Sequence, residues 1–115
     1  MYDLNSLFNQ HSSFRAIEFS REERRKHLVL RQCKALLVDY SYLHIREIWK
    51  AESLTKYSYY WFTSGNQLIV GWDNAPHHPN LENFPHHKHT EKGIEASSEF
   101  DLPAVLECIA GKFDD

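Results

Sequence analysis

The chain has 115 residues, with 13 Lys/Arg against 16 Asp/Glu and a formal net charge of −3. That length holds one domain with an ordinary core and leaves no room for two, so residues 1–115 are taken as a single domain. An aromatic content of 14 % excludes a disordered tail, no apolar run is long enough to span a membrane, and the net acidity counts against a general nucleic-acid binder. The charge is uneven: residues 1–60 carry ten Lys/Arg and seven Asp/Glu, and residues 61–115 carry three and nine. Arg21, Arg24, Arg25, Lys26, Arg31 and Lys34 hold much of the positive half, so one face could meet a phosphate backbone, with a solvated hairpin rim as the plainer alternative. Cys33 and Cys108 stand in no metal or redox spacing and are expected to be small core residues. The polar start Met1-Tyr2-Asp3 is not that of a signal peptide, which makes a reducing cytoplasm the expected setting.

Along the chain, Leu4, Leu7 and Phe8 at helical spacing predict a short helix over Asp3–Gln10. Phe14–Phe19 is a plausible first strand, and Ser20–Lys26 is a charged turn or loop. His27–Val38 favours strand over helix, because Asp39-Tyr40-Ser41 turns the chain into a second alternating segment. That segment, Tyr42–Trp49, places Leu43, Ile45, Glu47 and Trp49 on one face. Thr55–Thr63 is the firmest strand, with Tyr57, Tyr59 and Trp61 on one side. Ser64-Gly65-Asn66 makes a hairpin turn, and Gln67–Trp72 returns with Leu68, Val70 and Trp72 on one face. From Asp73, the prolines at 76, 79 and 85 predict a stiff irregular loop, followed by a polar connector, Glu91–Glu99. Asp101 then caps a last helix, Leu102–Phe113, with Pro103 tolerated in its first turn. The expected architecture is α+β: an antiparallel meander of four to five strands, a short N-terminal helix, and a C-terminal helix packed on the sheet.

Five of the eight histidines lie between residues 77 and 89: His77, His78, His86, His87 and His89. Imidazole can give and take protons near neutral pH or bind a metal. In an acid–base reading, two histidines flank a phosphodiester while an Arg or Lys steadies the developing charge. In a metal reading, which is not favoured because the spacing matches no zinc signature, His87 and His89 project together and His77 or His78 closes the site with Asp73. In the plainest reading the imidazoles bond the loop's own carbonyls. The stripe of Tyr57, Tyr59 and Trp61 beside Trp72 is either core under a helix or a surface on which bases stack.

Tyr57-Ser58-Tyr59-Tyr60-Trp61, then Trp72-Asp73-Asn74-Ala75-Pro76-His77-His78-Pro79, then Phe84-Pro85-His86-His87-Lys88-His89 together resemble the signature of the TumE-type toxins, from about His27 onward. One position departs: Tyr60 stands where a histidine is common. The resemblance implies the toxin half of a two-gene toxin–antitoxin module, neutralised by a small helix-turn-helix antitoxin, and small toxins of this size most often act on RNA. The expectation is therefore a cytoplasmic endoribonuclease that needs no cofactor. His77, His78, His86, His87 and His89 supply acid and base, and Asp73 orients one imidazole. Arg46 and Lys88 meet phosphate, while Tyr57, Tyr59, Trp61, Trp72 and Asn74 shape the pocket or contact substrate. A non-catalytic module that docks a protein through its rigid His/Pro loop, and a metal-dependent hydrolase, are the alternatives.

Overall fold

A computed structural model describes residues 1–113. Its backbone is a meander of seven antiparallel strands in sequence order. The strands are β1 (Phe14–Arg25), β2 (Leu28–Leu37), β3 (Tyr42–Lys50), β4 (Ser53–Phe62), β5 (Leu68–Asp73), β6 (His87–Thr90) and β7 (Gly93–Ala96), flanked by helices α1 (Leu4–Asn9) and α2 (Leu102–Ala110). The α+β meander with a helix at each end is as expected, and three differences are informative.

β1 runs on through Arg25, where a charged loop was expected. Register shifts between Phe14 and Ala16 and between Ile17 and Phe19 mark bulges that break the apolar alternation, which is why the segment looks short in sequence. Beyond them the charged residues pair with β2 as an edge strand, where solvated Arg and Glu side chains cost little. The expected loop after Asp73 closes at His86, and β6 pairs back onto β5. Inside the expected polar connector, Gly93–Ala96 forms the outer strand β7.

Alternation divides the sheet into two faces. Leu43, Ile45, Glu47 and Trp49 of β3 share a buried face with Tyr57, Tyr59 and Trp61 of β4 and Trp72 of β5. Onto it pack Leu7 and Phe8 of α1 and Leu102, Val105, Leu106 and Ile109 of α2. Asp3 caps α1 by accepting the Asn5 N–H (3.1 Å), and Asp101 caps α2 by accepting the Ala104 N–H (3.0 Å). Full burial of a large apolar side chain contributes about 1.5–3 kcal/mol, so this covered face holds most of the hydrophobic stabilisation.

Within the core sits a polar knot. Glu47 Oε2 accepts hydrogen bonds from the hydroxyls of Tyr2 (2.5 Å) and Tyr59 (2.6 Å), and Oε1 accepts from Trp49 Nε1 (3.1 Å). The equally buried Arg31 lies 3.8 Å from Oε1 and donates to the Tyr2 carbonyl (2.9 Å). Tyr2 also accepts the Leu102 N–H at 3.2 Å, joining the N-terminal segment to the start of α2.

The cysteines separate. Cys33 is core as expected, whereas Cys108 is exposed on the outer side of α2. Burial pushes the Cys33 thiol up to about 11, with the Arg31 charge opposing and the Glu47 charge adding. Because the thiolate is the reactive form, a thiol reagent should label one cysteine per native chain and two after denaturation. Rapid labelling of both in native protein would contradict the burial.

Candidate active site

The side of the sheet away from the helices carries the chemistry. On β5 the sequence Gly71-Trp72-Asp73 alternates, so Trp72 points into the core while Gly71 and Asp73 face the open side. Asp73 pairs with His87 and Gly71 with His89, which brings both imidazoles of β6 onto the face of Asp73. His87 Nε2 lies 2.8 Å from Asp73 Oδ1 and His89 Nε2 lies 3.3 Å from Oδ2. Oδ1 also accepts the Ala75 N–H (3.0 Å), and Oδ2 accepts the Tyr60 hydroxyl. Four partners thus hold one carboxylate that is 7 % exposed.

His87 Nδ1 lies 2.9 Å from the Pro85 carbonyl. A carbonyl can only accept, so Nδ1 carries a proton, and Nε2, the atom turned to Asp73, donates to the carboxylate only when the ring holds its second proton. The ring of His78 completes the group, with its centroid 5.0 Å from that of His87 and 6.3 Å from that of His89. Burial lowers the His89 pKa from its ordinary range; the Asp73 charge opposes this, and His87 and His78 push further down. Burial and the Asp73 carboxylate both raise the pKa of the Tyr60 hydroxyl, which keeps it a hydrogen-bond donor.

Tyr60 reaches Asp73 because Gly71 lies opposite it across β4 and β5. A Cβ on residue 71 would fall inside contact distance of the Tyr60 ring atoms Cγ, Cδ1 and Cε1. Those atoms are close to the backbone and cannot give way without moving the whole ring. Gly71→Ala is expected to cost about 1–3 kcal/mol by overpacking and to detach Tyr60 from Asp73. In a Tyr60→Ala background the same change should cost little, and denaturant unfolding of the double-mutant cycle checks the coupling.

From Asp73 a groove of about 700 Å³ runs over the open face towards β1, lined by Arg21, Gln32, Arg46, Lys56, Ser58 and Tyr60, with Asp73–His77 at the end nearest the imidazoles. Arg21, Gln32, Arg46, Ser58, Asp73 and His87 are successive register partners from β1 to β6. At the usual strand spacing this row is about 24 Å long. Arg21 faces Glu23 at 3.8 Å, whereas Arg46 and Lys56 form no ion pair among the described residues. The row leads from cations to the histidine–carboxylate cluster.

The remaining expected site residues lie elsewhere. His86 points to the helix-covered side, its ring stacked on Tyr57 (5.8 Å, 14°) and its Nδ1 2.9 Å from the Tyr57 hydroxyl, which also accepts the Phe100 N–H (3.3 Å). Strand alternation parts it from His87. His77 is exposed on the groove rim. Lys88 pairs across from Trp72, on the side away from the cluster, and lies 3.6 Å from Glu95. Asn74 bridges strand and loop, accepting from the Tyr57 N–H (3.0 Å) and donating to the Thr55 carbonyl (3.0 Å). Tyr57, Tyr59, Trp61 and Trp72 are core residues, each at most 4 % exposed, which agrees with the reading of the stripe as core beneath a helix and leaves no ring face on which a base could stack. Arg21 was expected only as one of several basic residues that could meet phosphate and Tyr60 only as a departure from the motif, while Lys56, Gln32 and Ser58 carried no expectation, although period-two alternation opposite the apolar stripe marks Ser58 and Tyr60 as open-face positions.

The cluster and groove define a protein with a histidine–aspartate centre on one face of a helix-backed antiparallel sheet. The sequence pattern of the family described as Toxin TumE matches residues 4–112. The chain therefore belongs to the TumE toxin family, as the motifs had led one to expect, and it is the toxin of a toxin–antitoxin module with an antitoxin as its implied partner. No curated protein and no solved structure matches it. Among the described residues, no helix is long and apolar enough to cross a membrane.

Proposed function

We propose that this toxin is a cytoplasmic endoribonuclease, neutralised by a small helix-turn-helix antitoxin, whose reaction centre is the cluster of Asp73, His78, His87 and His89. The observation that carries the proposal is the single row leading from Arg46 to a carboxylate bonded to two imidazoles. An RNA strand laid along this row places phosphates near Arg46 and Lys56 and a scissile linkage over the half-buried imidazoles of His78 and His89. One imidazole removes the proton of the ribose 2′-hydroxyl as it attacks phosphorus, and the other returns a proton to the departing 5′-oxygen. Asp73 and the more deeply buried His87 position these two rings and do not themselves touch the strand.

The test is incubation of purified protein, freed of antitoxin, with total RNA. Cleavage is expected, and Arg46→Ala is expected to raise KM and flatten the salt dependence of binding, since it removes one phosphate contact. If the parent leaves RNA intact under all conditions, the ribonuclease reading is wrong.

A further inference from the structure

The histidine–carboxylate cluster has a second chemical property, which rests on its ligand geometry and not on the ribonuclease reading. One ligand atom each from Asp73, His87 and His89 lies within 4.8 Å of the others. Donor atoms of a tetrahedral zinc ion, at bonds of about 2.0–2.1 Å, stand about 3.3–3.5 Å apart, so small side-chain rotations would bring all three into range. The surroundings match those of metal-binding histidines and carboxylates. The Nδ1 proton of His87 is tied to the Pro85 carbonyl, which leaves Nε2 as the coordinating atom. The Tyr60 hydroxyl and the Ala75 N–H hold the carboxylate in place. Two neutral imidazoles and one carboxylate suit zinc and its first-row neighbours better than magnesium or calcium, which prefer all-oxygen sites.

We propose that Asp73, His87 and His89 bind one divalent transition-metal ion of the zinc class, with a fourth position open to His78 or to a ligand arriving along the groove. Three protein ligands and one open position are the arrangement of a reactive zinc site and not of a closed structural one. A metal on these nitrogens occupies the lone pairs that proton transfer would use. The decisive readout is therefore binding, measured without RNA.

Chelator-treated protein would be titrated with Zn²⁺ by calorimetry at neutral pH, alongside His89→Ala and His86→Ala. His89 is partly exposed on the open face of β6, so its variant should fold, and an unfolding transition for each protein confirms this. One equivalent is expected for the parent and for His86→Ala, with at least about tenfold weaker binding in His89→Ala. Excess Zn²⁺ should raise the unfolding midpoint of the parent by more than that of His89→Ala. No stoichiometric binding by the parent, or binding that is unchanged in His89→Ala, would overturn the site. Neither result depends on whether the protein cuts RNA.

Discussion

Replacing His89 by alanine should lower RNA cleavage about 10²–10⁴-fold, the usual contribution of a positioned acid or base, while His86→Ala leaves it near the parent level. The two histidines are three residues apart in one motif and look equivalent in sequence. In the structure His89 Nε2 faces Asp73 at 3.3 Å on the groove side. His86 stacks on Tyr57 beneath the sheet. The comparison is made at equal folded concentration, since His86→Ala also loses its contact with the Tyr57 hydroxyl and should cost some stability. Equal activity in parent and His89→Ala would remove the cluster from the reaction. Loss in His86→Ala alone would move the reaction centre to the other face.

The second large effect concerns stability. Glu47→Ala is expected to destabilise the fold by about 3–5 kcal/mol, the typical result of deleting one partner of a buried charged pair. That is a large share of the roughly 5–15 kcal/mol available to a domain. The carboxylate is the shared acceptor of two tyrosine hydroxyls and one indole N–H, and its loss leaves these donors and the Arg31 guanidinium buried without it. Because Tyr2 binds both Glu47 and the Leu102 N–H, the N-terminal segment and the start of α2 should loosen together. Urea unfolding reads the loss, and amide exchange at Leu102 reads the loosening. A change below about 1 kcal/mol would show that water replaces the carboxylate, contrary to its complete burial.

The sequence by itself determined the class of fold, the order of β2 to β5, both helices and the family. These are local properties: apolar alternation reports which face of a strand is buried, capping residues report helix starts, and a motif reports ancestry. It also located the histidine-rich stretch and named Asp73. It did not reveal β6 and β7, because strands of four residues at a sheet margin carry too little apolar pattern, and β7 is exposed throughout. Nor did it sort the histidines. Which imidazoles meet Asp73 depends on the register of β6 against β5, and a shift of one residue would have turned His86 and Lys88 inward in place of His87 and His89. Glu47 stood on an apolar face in plain view, yet its partners come from the N-terminal segment, β2, β3 and β4, which only the folded chain brings together. The row from Arg21 to His87 has the same origin: its members come from separate strands and share a line only because six strands pair in register.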